Sequence, residues 1–148
     1  MNWYKNEFII NLEKLKDNLL QYKNESDIFT KPGDTKNSPA NLAIHICGNL
    51  KFNIGSVIGQ KSYVRNRDNE FTMKISGRNE VIAEIDSTIE MIEPVLDNLK
   101  PEDLQKPFPG NIHEEGQTIG TVLVKIAIHM GYHLGQINYH RRIASSNR

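Results

Sequence analysis

The sequence predicts an all-α fold, a four-helix bundle with long crossover connections, and three observations carry that expectation. Apolar residues recur at spacings of three and four in four separate blocks, the period of an amphipathic helix. No stretch alternates convincingly between apolar and polar residues, as a half-buried strand would. Connections at 60–75 and 100–117 are long enough to cross the bundle, so its helices are not bound to run plainly up and down. With 148 residues, the chain is read as one domain spanning 1–148.

Tyr4, Phe8, Leu12, Leu15 and Leu19 lay one apolar stripe along a first helix at 3–22. A polar segment with Pro32 and Gly33 follows, and Ser38-Pro39 supplies a cap and a first helical residue for a second helix reaching about residue 59. Leu42, Ile46, Leu50 and Val57 form its stripe, while Gly48, Gly55 and Gly59 sit on another side. Mid-helix glycine costs about 1 kcal/mol against alanine, so three on one face point to close contact with another helix or subunit. The linker 60–75 is charged and aromatic, and its length favours a place at the mouth of a site. Ser76 offers a cap for a third helix carrying Val81, Ile85, Ile89, Ile92, Leu96 and Leu99, with a kink expected at Pro94. Thr118 caps the last helix, expected to end near Arg142. That helix is apolar nearly all round from Ile119 to Met130, so it is expected to be the most buried of the four.

Composition removes several functions. Lys plus Arg equal Asp plus Glu at 18 each, so no net field attracts nucleic acid or anionic lipid. Cys47 is the one cysteine, which excludes an internal disulfide framework, a Cys-rich zinc knuckle and an iron–sulfur cluster. Residues 1–7 lack the basic start and apolar run of a signal peptide, and no stretch is long enough to span a bilayer. A cytoplasmic protein without a membrane partner is expected.

The histidines carry the chemistry. His129 and His133 are an i, i+4 pair about one helical turn apart, so both imidazoles can aim at one point. Imidazole nitrogen is the commonest transition-metal ligand, yet such a pair alone is more often two hydrogen-bonded side chains. His45, on the border of the second helix's stripe, is the candidate third ligand, because bundles gather ligands from facing helices. Three histidines leave coordination positions open to water or a thiol, whose pKa a divalent ion lowers. Asn49 and Asn53 share the border with His45, and Gln136 with the pair, as candidate partners just outside the ligand set. His140 lies about 10 Å beyond His133 and is placed at the surface or the substrate side. His113 is read as an exposed loop residue, and Cys47, about 200° around the helix from His45, as a buried small apolar one.

The spacing of His45 to His129-x3-His133, followed by Gly135-Gln136, resembles the DinB-like (damage-inducible) superfamily of metal-binding four-helix proteins over nearly the whole chain. The segments 38–45, 63–68 and 132–142 look like a bacterial branch of it, the last most specifically. Tyr132 and Leu134 depart from the superfamily's frequent His-His-Arg-Gly-Gln run. The resemblance implies an up-down-down-up bundle, commonly a homodimer, with zinc, nickel or iron held by residues that map onto His45, His129 and His133. It also implies relatedness to transferases that use bacillithiol, mycothiol or glutathione, and to a mycothiol-dependent isomerase.

Three functions are therefore expected in turn. The first is a metal-dependent transferase acting with a low-molecular-weight thiol as its small-molecule substrate. The second is a metal-dependent hydrolase, with Glu70 as general base if the long linker folds over the site. The third is a non-catalytic stress-response or ligand-binding module whose metal fastens two helices together.

Overall fold

The computed structural model describes residues 3–110, 113 and 115–146; residues 1 and 2 at the start and Glu114 beside His113 lie outside the described residues. The chain forms an all-helical bundle of α1 (Trp3–Leu20), α2 (Pro39–Leu50), α3 (Arg67–Thr72), α4 (Arg78–Asn98) and α5 (Ile119–Ser146). Among the described residues, the β pairing given is an isolated antiparallel bridge from Pro107 to Thr118. No helix among them is long and apolar enough to cross a membrane.

Local chemistry sets the helix starts. Ser38 Oγ accepts from the Asn41 N–H at 3.2 Å, Asn41 Oδ1 accepts from the Ser38 N–H at 3.3 Å, and Pro39 takes the first helical position. Thr118 Oγ1 caps α5 by accepting from the Thr121 N–H at 3.2 Å. Ser76 does not cap α4 as expected. Gly77 stands at that boundary, and Ser76 instead donates its N–H and hydroxyl to Glu80 while Glu25 accepts from the Arg78 N–H at 2.6 Å. α4 then continues through Pro94 to Asn98.

The order of the chain through the bundle follows from cross-helix pairs. Lys5 meets Glu93 and Asp97 at 2.9 Å and Lys16 meets Asp86 at 2.6 Å, so α1 and α4 are antiparallel. α2 and α4 run the same way, because Lys51 bonds Glu84, Gly55 abuts Met91 and Gly59 abuts Val95. α2 and α5 are antiparallel: Pro39 shares a cleft with Gln136 and His140, whereas His45 meets His129. The result is up-down-down-up. α3, which the sequence pattern does not show, folds the 60–75 connection over α2.

The burial of the helices reverses one expectation. α2, not α5, is the most buried: residues 39–48 and Leu50 are all buried, because α4, α5, α3 and the 25–29 turn surround it. α5 has an outer face where Val124, Ile128, Tyr132, Tyr139 and Ile143 stand exposed. The core lies between, from Leu12, Leu15 and Leu19 through Ile85, Ile92 and Leu96 to Leu123 and Ile137.

Past Leu50, α2 continues without a break as a π-helix, Lys51–Ile58, closed by a Gly59 N–H to Ile54 O bond of 2.9 Å. There Gly55 and Gly59 sit against α4. A Cβ on Gly55 would lie 2.7 Å from Met91 Sδ, and one on Gly59 would collide with Val95 Cγ2. We predict that Gly59→Ala destabilises the protein by about 1–3 kcal/mol through overpacking, despite alanine's better helix propensity. Urea unfolding would show a lower midpoint; an unchanged midpoint would mean that α2 and α4 do not approach so closely.

Candidate metal centre

α2 and α5 each carry histidines on the border between core and surface, and their antiparallel packing brings those borders together. His45 Nε2 lies 3.3 Å from His129 Nε2, and His133 Nε2 lies 3.1 Å from the same atom. One ligand nitrogen from each of the three falls within 4.8 Å of the others. The rings stand edge to face, with centroids 4.5–5.1 Å apart. Nitrogens about 2.0–2.1 Å from a tetrahedral ion are about 3.3 Å from one another, so the spacing matches a shared ion.

The other ring nitrogens decide where the protons are. His45 Nδ1 lies 2.8 Å from Glu70 Oε2, and an ionised carboxylate only accepts, so Nδ1 carries the proton. His133 Nδ1 donates likewise to Gln136 Oε1 at 2.7 Å. In the neutral imidazole the Nε2 atoms of His45 and His133 are therefore lone-pair donors, and both face His129 Nε2. His129 has one proton to offer at most from that atom, so hydrogen bonding leaves at least one lone pair facing another nitrogen. An electron-pair acceptor among the three resolves this, and a divalent transition metal is such an acceptor. Burial pushes the His129 imidazole down to about 4, helped by His133 and His45, and it lowers His133 too, against the Gln136 hydrogen bond. Both rings are neutral at pH 7, the form that binds metal.

Glu70 is the residue that the sequence undervalued. The linker does fold over the site, but Glu70 is not placed as a general base. It is 5% exposed, and both its oxygens are occupied: Arg65 Nε donates to Oε1 at 2.7 Å and Arg65 Nη2 to Oε2 at 3.1 Å. Burial raises its carboxyl, but the hydrogen bonds of His45 and Arg65 and the guanidinium charge outweigh that and hold it below the usual range. Gly48 makes room for it, since a Cβ there would collide with Glu70 Oε1. All three glycines thus meet a side chain of another helix, Gly48 one of α3 and Gly55 and Gly59 ones of α4. Phe71, next along α3, packs on the His45 ring with centroids 4.9 Å apart.

The remaining candidates divide. Gln136 partners His133 as described. Asn53 turns elsewhere, with Oδ1 2.9 Å from His113 Nε2 and its amide donating to Asn49 O at 3.0 Å, so these asparagines serve the far end of α2. His113 is correspondingly half-buried and edge-on to Phe108, not an open loop residue. His140 contacts Tyr22 Oη at 2.9 Å and Thr30 Oγ1 at 3.2 Å, away from the cluster. It does share a cleft of about 340 Å³ with His133, Gln136 and Tyr132.

A family model described as "Protein of unknown function (DUF1572)" matches residues 2–148. A crystal structure of a conserved protein from Enterococcus faecalis is similar over 96% of this chain and 95% of that one, with a TM-score of 0.75 and 15% identity. At that identity the likeness is one of fold. No curated protein matches.

Cys47, two residues from His45, is fully buried, and burial pushes its thiol up to about 12, against a hydrogen bond to Thr88. We predict that a thiol reagent at pH 7 leaves the native protein unlabelled and labels one cysteine after denaturation. Rapid labelling of the native protein would show that Cys47 is accessible beside the histidines.

Proposed function

The chain belongs to the DUF1572 family of proteins of unknown function, and from that premise we propose that it is a divalent-metal protein of the DinB-like kind. In this reading His45, His129 and His133 bind one zinc, nickel or iron ion, and the protein is a transferase acting with a low-molecular-weight thiol. The observation that carries it is the convergence of three imidazole Nε2 atoms, two of which have their Nδ1 protons already committed to Glu70 and Gln136. An all-imidazole set suits these metals, and supply in the cell selects among them. Three protein ligands leave coordination positions open, the mark of a catalytic rather than a closed structural site. A bound ion supplies Lewis acidity that lowers the pKa of a thiol or water beside it. The protein holds the imidazoles in orientation, and the 340 Å³ cleft past His133 offers room for a small molecule beside Gln136, Lys36 and His140.

The hydrolase alternative loses its base, because both Glu70 oxygens are engaged. Purified protein is expected to bind one divalent ion per chain, and His129→Ala to weaken binding by more than about 100-fold, beyond the effect of losing an outer partner. A cobalt-substituted sample should change its visible spectrum when a small thiol is added. A spectrum indifferent to thiols and water analogues would favour the module in which metal only joins α2 to α5, and a protein that binds no ion would end the reading altogether.

We propose that two copies of the chain form a homodimer through the outer face of α5. Ile128 is 68% and Tyr139 66% exposed there, and with Val124, Tyr132 and Ile143 they form one apolar stripe. Gly131 and Gly135 lie on the same stripe, and a Cβ on either would meet nothing within 4 Å. Sedimentation is expected to show a dimer for the wild type and a monomer for Ile128→Glu. A wild-type monomer would remove this face from consideration.

A further inference from the structure

The pair of half-buried Arg65 and buried Glu70 has no account in the bundle's packing alone. Taking two charges out of water is costly, and replacing such a pair by apolar residues is often neutral or stabilising. Here the pair is also bought with a glycine in the middle of α2. Its geometry is directed at one atom. Glu70 Oε2 lies 2.8 Å from His45 Nδ1, and Arg65 Nη2, which is also hydrogen-bonded to Glu70, lies 3.4 Å from the same nitrogen.

The two neighbours make opposite demands on His45. The carboxylate calls for a proton on Nδ1 and so leaves the Nε2 lone pair facing His129. The guanidinium can only donate, and with the carboxylate gone it would donate to Nδ1. The proton would then sit on Nε2 and block the atom that faces the other two histidines. It would also set an uncompensated positive charge close to the cluster. We propose that Glu70 is a positioning residue that selects the metal-binding tautomer of His45 against Arg65, with Gly48 admitting the carboxylate. Arg65 in turn clamps Glu70 through two hydrogen bonds and so fixes its aim. The metal role of His45 in this inference rests on the function proposed above, whereas the tautomer does not.

Two measurements test it separately. Nitrogen-15 NMR of the metal-free protein reads the tautomer directly: the wild type should have His45 protonated on Nδ1, and Glu70→Ala should move the proton to Nε2. Metal affinity is then measured by chelator competition with zinc alone. Glu70→Ala should bind about 10–100-fold more weakly than wild type. Glu70→Gln, which keeps an acceptor oxygen but loses the charge, should fall between them. Gly48→Ala should weaken binding although it touches no histidine. The double variant Arg65→Ala/Glu70→Ala should recover several-fold over Glu70→Ala, because the competing donor is gone. Relief of the unpaired Arg65 charge alone would also give recovery, so the tautomer read by NMR decides between the two, and a double variant no better than Glu70→Ala would overturn the proposal. So would an unchanged tautomer in Glu70→Ala, or in Glu70→Gln an affinity as low as that of Glu70→Ala. Should Glu70→Ala fail to fold by circular dichroism, Gly48→Ala and Glu70→Gln decide the matter, with unaltered affinity in both counting against it. If the wild type binds no zinc, the proposed function fails while the tautomer assignment still stands or falls by NMR.

Discussion

Three imidazole Nε2 atoms converge between two antiparallel helices with at most one proton among them, so at least one lone pair faces another nitrogen unless an electron-pair acceptor lies between them. The rest of the structure is arranged around that constraint. The helices supply the convergence: α5 presents His129 and His133 one turn apart, and α2 brings His45 opposite them. Their hydrogen-bond partners turn the convergence into commitment, since Glu70 and Gln136 hold protons on the far nitrogens. The connection between α2 and α4, with its short helix α3, carries Arg65 and Glu70 onto the back of His45.

Burial makes the arrangement rigid. α2 is enclosed on every side, so His45 is 4% exposed and its ring is gripped by Phe71, Glu70 and the other two imidazoles. His129 and His133 are only half-buried, so the cluster lies at the edge of the core where a small molecule can approach. The same asymmetry leaves the outer face of α5 apolar and exposed, and Tyr132 joins that face to the cleft beside His133.

The four long helices were legible because each repeats its apolar residues over at least three turns, and Ser38-Pro39 and Thr118 mark starts that side-chain caps then realise. α3 was not legible, since Arg67–Thr72 contains one large apolar residue and no period can show in six positions. The degree of burial was misjudged for a related reason: local pattern reports a helix's own composition, whereas α2 owes its enclosure to what crosses over it. The pair His129 and His133 could be read from helix geometry alone. His45 required knowledge of the packing, which resemblance supplied. Glu70 required more, because glutamate is seldom buried and 25 residues separate it from His45. Two signals were nevertheless present: a glycine three residues past His45, and an arginine and a glutamate together in a long linker.

X-ray absorption at the metal edge of the loaded protein tests the central claim most directly. The zinc-loaded protein is expected to show three imidazole nitrogens at about 2.0–2.1 Å around the ion, and one fewer imidazole when His45 is replaced by alanine. A shell of oxygens, or one indifferent to His45→Ala, would contradict it.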